Sequence, residues 1–203
     1  MSDEQFFFLE PDHKFIDFIL DCKKSVKKLI GDQQYLQDSP HLTLLVGNYE
    51  FGNNKFFEEL EINHKFKPIQ IELDGWFAFK DDPVTKKHTI VYKVSTRSLE
   101  FLKAIQIDIG NVVKKYRKTK IIDRYKNQAG FSSEMVKSTF EYGFPFVGDH
   151  WRAHFTIASI EKEKFDEVWN YINKNFYKKE ITIRSLNFSS IEREGFKTIR
   201  RWD

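Results

Sequence analysis

The stretch Pro40-His41-Leu42-Thr43-Leu44 has a counterpart later in the chain, His154-Phe155-Thr156-Ile157. Each copy reads histidine, apolar residue, threonine, apolar residue. Alternate side chains of a strand point to the same face, so the histidine and threonine of each copy share one face and the apolar residues share the other. We expect the apolar faces to pack on helices and the two His-Thr faces to look into one groove.

The surroundings of the two copies repeat as well. A predicted helix precedes each copy and ends near Ile30 or Val113, and a predicted amphipathic helix follows each copy. An alternating strand then begins at Ile69 in one half and at Ile181 in the other. A helix-strand-helix-strand-strand unit is therefore predicted twice. This predicts a bilobal α+β fold, with two pseudo-twofold-related antiparallel-rich sheets flanking a central groove and helices outside.

The length of 203 residues fits a single domain of two lobes, approximately 1–95 and 96–203. The segment at about 116–150 reads as an irregular insertion, and a loop of that length inside a domain is more often functional than idle. Capping residues indicate where the predicted helices begin and end. The first helix begins after Asp12 and ends at Gly31, the second begins at Asn53 or Asn54, and the third begins at Ser98.

Composition excludes several classes of protein. Hydrophobic residues make up 40% and aromatic residues 16%, which is enough for a packed interior, and only 9 Gly and 5 Pro exclude collagen-like chains. Cys22 is the single cysteine, which excludes an intrachain disulfide framework and a cysteine-rich zinc site. Apolar runs such as 6–9 are too short to span a membrane. We expect a monomer in a reducing cytoplasm.

Net charge is +3, too small to indicate general coating of nucleic acid. The segment 114–126 concentrates seven basic residues around a single acid, Asp123. Two interpretations stay open. The segment is either a track for the phosphates of an oligonucleotide or a solvated helix end and loop.

Two imidazoles and two hydroxyls in one groove suit phosphodiester chemistry without a metal. A neutral imidazole can take a proton from the attacking hydroxyl or water while an imidazolium gives one to the departing oxygen, because histidine titrates near pH 6.5. Threonine hydroxyls can donate to the phosphoryl oxygens as charge gathers on them. A zinc site would need three or four ligands, and hydroxyls stand where further ligands are needed. The motifs do not say which histidine is the acid.

The paired His-x-Thr motifs resemble those of the 2H phosphoesterase superfamily. That family includes bacterial RNA 2′,3′-cyclic phosphodiesterases, also called 2′-5′ RNA ligase-like proteins, and nucleases that cut 2′-5′ or cyclic oligonucleotides. The stretch 142–148, which leads to the second motif, is also similar to members of this group. Ala153 departs from the pattern, since proline often precedes the second histidine. The long 116–150 segment is a second departure and leaves the substrate open.

The resemblance implies a bilobal fold, independence of metals and of other cofactors, and a nucleotide or RNA substrate. It implies a catalytic set of His41, Thr43, His154 and Thr156. Candidate substrate-binding residues flank the second motif. Arg152 lies two positions from His154 and so shares its face, and aromatic side chains can stack on bases. The aromatic candidates are Trp151, Tyr142 and Phe146.

The other four histidines do not repeat the motif. His88 is followed directly by Thr89, so the two side chains point to opposite faces and the pair does not repeat the motif. His150 is an auxiliary substrate contact at most. His13 and His64 carry no spacing signal.

These patterns predict a metal-independent phosphodiesterase that cleaves a 2′,3′-cyclic end, a 2′-5′ bond or a cyclic oligonucleotide by two-histidine acid–base catalysis. The alternative is a catalytically silent RNA- or nucleotide-binding module that uses the same groove. Energy-driven ligation is not indicated, because the sequence has neither a nucleotide-activating lysine motif nor a glycine loop that cradles phosphate.

Overall fold

The computed structural model describes residues 4–52, 54–63, 66–118, 120–126, 129–177, 179–192 and 195–203. The candidate cap Asn53 and His64 lie outside them. The α-helices of the described residues are α1 (His13–Ile30), α2 (Asn54–Asn63), α3 (Thr96–Val113), α4 (Ser133–Tyr142) and α5 (Lys162–Ile172). The strands are β1 (Gln5–Pro11), β2 (Leu42–Gly47), β3 (Ile69–Phe79), β4 (His88–Val94), β5 (His154–Ile160), β6 (Glu180–Ile191) and β7 (Phe196–Trp202).

The strands form one sheet whose pairings close on themselves. Within the described residues the order runs β1-β2-β5-β4-β3-β6, β6 also pairs with β1, and β7 is added beside β6. All these pairings are antiparallel. Two junctions divide the ring. At the first, Leu42 pairs with Phe155, and at the second, β3 pairs with the start of β6.

The ring therefore consists of two antiparallel segments, β2-β1-β6-β7 and β5-β4-β3, which flank a groove. This confirms the predicted α+β architecture. The division at residue 95 does not describe the sheets, because each segment takes strands from both halves of the chain. The first segment joins strands from the two ends of the chain, and the second joins the β3-β4 hairpin to β5.

Helix α1 follows the predicted caps and period. The Asp12 carboxylate accepts a hydrogen bond from the backbone N–H of Phe15, and Gly31 leaves the helix at a φ of 80°. Its apolar stripe, which includes Ile19 and Cys22, is buried. Helix α1 packs on α5 and on β5, outside the groove.

Two expected elements differ from the structure. The segment 116–150 is not irregular throughout, because it contains α4, which Ser132 caps at its start and Gly143 ends in a left-handed conformation. Helix α3 is capped by Ser95, three residues before the predicted cap. The Ser98 hydroxyl instead accepts a hydrogen bond from the backbone N–H of Glu72 at 2.8 Å.

None of the helices in the described ranges has an apolar stretch of the length that crossing a bilayer requires.

Candidate active site

The pairing of β2 with β5 brings the two motifs together. Leu42 and Phe155, the middle residues of the motifs, are antiparallel partners. The register through this pair places His41 beside Thr156, and Thr43 beside His154. Leu42 and Phe155 are fully buried, whereas the four motif side chains are partly exposed and line a common cavity. The polar set thus lies on the groove face of the junction and the apolar pair beneath it.

Each imidazole is oriented in the same way. The His41 Nδ1 lies 2.7 Å from the carbonyl oxygen of Ser39, and the His154 Nδ1 lies 2.5 Å from that of Arg152. A carbonyl oxygen only accepts, so Nδ1–H is the donor in both rings. Nε2 is then the nitrogen that is available for proton transfer. In both motifs, therefore, the histidine Nδ1 is hydrogen-bonded to the carbonyl oxygen of the residue two positions earlier.

The surroundings of the two imidazoles are apolar but not equal. The His41 ring meets Phe6, Phe8 and Phe196 at centroid distances of 5.3, 5.3 and 5.6 Å. The His154 ring meets Phe79 at 5.1 Å. His41 is therefore enclosed by aromatic rings more fully than His154.

These surroundings hold the pKa of both histidines low. Burial lowers the pKa of His41 from 6.5 to about 4, the Ser39 carbonyl and Asp38 oppose this shift, and Lys23 and His154 add to it. Burial also lowers the pKa of His154, while the Arg152 carbonyl and the Asp82 carboxylate oppose the shift. Both rings are therefore neutral at pH 7 in the free protein.

The groove forms a cavity of about 1100 Å³, slightly above the range of about 300–1,000 Å³ for small-molecule sites. Both segments of the sheet line the cavity. Residues 123–125, which follow α3, line it as well. The cavity is thus bounded by the sheet and partly by the segment that the sequence marked as an insertion.

Three of the four candidate substrate-binding residues line the cavity. They are Arg152, whose side chain is exposed, Phe146, which is partly buried, and Trp151, which is only 3% exposed. The Trp151 indole N–H donates to the carbonyl oxygen of Thr43 at 3.1 Å. Trp151, which precedes the second motif, is thus hydrogen-bonded to the first motif and also lines the cavity.

Tyr142 lies outside the cavity lining. Its ring packs at Gly110 of α3, and the Lys114 ammonium lies 5.4 Å from the ring centroid. This position gives Tyr142 a packing role in place of the predicted contact with substrate.

The basic segment 114–126 is largely tied to the protein. Lys114, Lys115 and Lys126 form ion pairs with Glu141, Glu59 and Asp123, respectively. Arg124 pairs with Glu4 and is the basic residue of this segment that lines the cavity. Of the seven basic residues of this segment, Arg124 is thus the one placed to meet a phosphate bound in the cavity.

Many further cavity residues belong to no motif in the sequence, and four of them contact the histidines or act on their charge. They are Lys23, Asp82, Phe79 and Phe196. Of these four, only Lys23 could have been noticed in the sequence. It lies one turn from Ile19 on the buried stripe of α1, where a charged residue is unexpected. The other three come from a turn or from strands distant in sequence.

Three further histidines lie in the described part of the chain. The His88 Nδ1 accepts a hydrogen bond from the backbone N–H of Asp81 at 3.0 Å, outside the cavity lining. His150 lines the cavity. His13 is hydrogen-bonded to Arg184. Across the described part of the chain, no group of three or more His, Cys, Asp or Glu side chains is placed to hold a metal ion.

Known structures share this architecture over nearly the whole chain. The protein TT0787 of Thermus thermophilus matches with a TM-score of 0.56 and 12% identity, covering 98% of this chain and 96% of that one. E. coli LigT in its apo form matches with a TM-score of 0.52 and 9% identity, covering 98% and 95%. LigT complexed with 3′-AMP gives 0.50 and 9%, with the same coverage of 98% and 95%.

No protein-family model and no curated protein matches the chain. At identities of 9% and 12% the structural likeness establishes the fold. The chain has the fold of TT0787 and E. coli LigT, and its paired His-x-Thr motifs resemble those of the 2H phosphoesterases.

Proposed function

We propose that this protein is a metal-independent phosphodiesterase that cleaves a nucleotide or RNA phosphodiester by two-histidine acid–base catalysis. The bond is a 2′,3′-cyclic end, a 2′-5′ linkage or a bond of a cyclic oligonucleotide. One observation carries the proposal: the pairing of Leu42 with Phe155 places both His-Thr pairs on one face of the sheet junction, inside a single cavity. The fold neighbour LigT supports a nucleotide ligand, because it has been crystallised with 3′-AMP and with ATP.

We assign the two roles from the charged neighbours of the rings: Lys23 disfavours the charged form of His41, whereas Asp82 favours that of His154. His41, whose pKa is about 4, acts as the general base through Nε2 and removes the proton of the attacking water or ribose hydroxyl. The oxygen then bonds to phosphorus while the bond from phosphorus to the leaving oxygen breaks. His154 is the acid and gives its Nε2 proton to that oxygen, since Asp82 favours its charged form. The bound phosphodiester anion favours the same imidazolium.

The threonines supply the remaining interactions. Thr43 and Thr156 lie on opposite strands of the junction, each across from the histidine of the other motif. Their hydroxyls can donate hydrogen bonds to the non-bridging phosphoryl oxygens as negative charge develops there. Arg152 lies at the cavity margin and adds a cation for the phosphate.

A substrate panel tests the proposal. Purified protein is incubated with 2′,3′-cyclic nucleotides, 2′-5′ oligoadenylate and cyclic dinucleotides, with and without EDTA, and products are separated by chromatography. We expect cleavage of at least one class and equal rates with and without EDTA, because the site supplies both proton-transfer groups. The double variant His41→Ala/His154→Ala serves as the control for contaminating nucleases.

The panel also separates the alternative function. Loss of activity in EDTA contradicts the metal-free mechanism. Absence of product, combined with salt-sensitive binding of RNA or nucleotide that survives the double substitution, identifies a silent binding module instead.

The pH dependence of kcat/KM should lie on the acid side of neutrality. The pKa of His154 lies below 6.5, so the protonated acid accumulates only as the pH falls below that value. The pKa of His41 is about 4, so the neutral base persists down to about that pH. We therefore expect a bell-shaped profile with its maximum below about pH 6.5. A maximum above pH 7 contradicts this assignment.

A further inference from the structure

We propose that Lys23 of α1 is a positioning residue for His41: it holds the loop that orients the imidazole and places a cation beside it. The inference rests on the proposed phosphodiesterase function and adds a residue that neither motif contains. Lys23 touches no reacting atom in this role and acts through His41.

The Lys23 side chain is buried in a way that needs an explanation. The residue is 3% exposed, although lysine is almost never fully buried unless it is paired. Its Nζ donates to the carbonyl oxygen of Tyr35 at 2.6 Å and to that of Asp38 at 2.7 Å. Two short bonds from one ammonium therefore tie α1 to the loop that runs into β2.

That loop orients the catalytic imidazole. The carbonyl of Asp38 accepts from Lys23, and the next carbonyl, that of Ser39, accepts from the His41 Nδ1. Pro40 stands between Ser39 and His41 and restricts the backbone there. A shift of the Asp38 carbonyl would therefore be transmitted to the atom that fixes the ring.

The start of the loop also depends on Lys23. Tyr35 has a φ of 72°, a left-handed conformation that is uncommon for residues other than glycine. Its carbonyl is the second acceptor of the Lys23 ammonium. The bond from Lys23 thus holds a backbone conformation that the side chain of Tyr35 disfavours.

Lys23 acts on the charge of His41 as well as on its position. The titratable groups that act on the pKa of His41 are Lys23 from α1, Asp38 from the loop and His154 from β5. Lys23 and His154 lower the pKa of His41, and Asp38 raises it. Burial lowers the pKa of Lys23 itself to about 8, so the ammonium stays charged over the acidic range in which we expect activity. It therefore helps to keep His41 in the base form.

The test compares Lys23→Met with Lys24→Met. Both variants lose one positive charge from the same turn of α1, but Lys24 is exposed and pairs with Asp21. We expect Lys23→Met to lower kcat about 10-fold with a smaller change in KM, because a displaced base loses alignment with its proton. We expect the pKa of His41, followed by NMR titration of its ring protons, to rise in Lys23→Met and to stay unchanged in Lys24→Met.

Lys23→Gln separates the two effects and serves if the methionine variant does not fold. Its amide keeps a hydrogen-bond donor but carries no charge, so the pKa of His41 should rise as in Lys23→Met while more of kcat is retained. A pKa of His41 and a kcat that both equal those of Lys24→Met overturn the inference. If no substrate is turned over, the proposed function fails, whereas the titration still tests the influence of Lys23 on His41.

Discussion

Replacing His41 or His154 with alanine is expected to lower kcat at least ~10²-fold, the scale for loss of a general acid or base. Each variant removes one of the two motif imidazoles that line the cavity. The double variant should be little worse than either single one, because residues that act as a unit are not additive. Substrate binding should change far less than kcat, since the threonines and Arg152 remain.

Steady-state kinetics on the preferred substrate of the panel measures this effect, and His88→Ala is the matched control. His88 lies outside the cavity lining, where its Nδ1 accepts a hydrogen bond from the backbone N–H of Asp81. Its replacement should leave kcat unchanged. If either motif histidine can be replaced with less than a 10-fold loss, that imidazole is not transferring a proton in the rate-limiting step.

Phe155→Ala is expected to destabilise the protein by ~3–5 kcal/mol, the range for truncating a buried phenylalanine. The Phe155 ring is fully buried beneath the groove, and its centroid lies 4.8 Å from that of Phe15 on α1. Phe155 is also the partner of Leu42 in the one pair that joins β2 to β5. For a chain of this length the loss corresponds to a fall in Tm of roughly 6–20 °C.

Thermal unfolding followed by circular dichroism measures this fall, and Phe176→Ala provides the control. Phe176 is 74% exposed, so its truncation should change the free energy of unfolding by less than ~0.5 kcal/mol. Equal Tm values for the two variants would mean that the junction of the sheet segments does not depend on the ring beneath it.

The local pattern of residues was enough to predict much of the fold and the centre of the candidate site. The apolar period of α1, its cap Asp12 and its stop Gly31 gave the observed helix, because these signals act within a few residues of one another. The two His-x-Thr motifs also indicated which side chains share a face, since alternation is a local property of a strand. Their recurrence in matched surroundings was sufficient to suggest that they meet.

Helix α4, which lies within the segment 116–150, was not predicted from the sequence. Ser132 and Gly143, the two ends of α4, are standard capping residues, but they lie in a stretch whose other glycines and basic residues resemble a loop. Tyr142 shows a different limit. Its place near the second motif in sequence suggested a base-stacking role, whereas its position at the end of α4 directs it to Gly110.

The sequence on its own determined the two motifs, the faces on which their side chains lie and most of the elements around them, because each of these depends on residues that are close together in the chain. Only the tertiary structure decided that β1 and β2 join β6 and β7, that Leu42 meets Phe155, and that Lys23 and Asp82 reach the histidines. These are contacts between segments distant in sequence, and they are selected by the packing of the whole chain rather than by any local period.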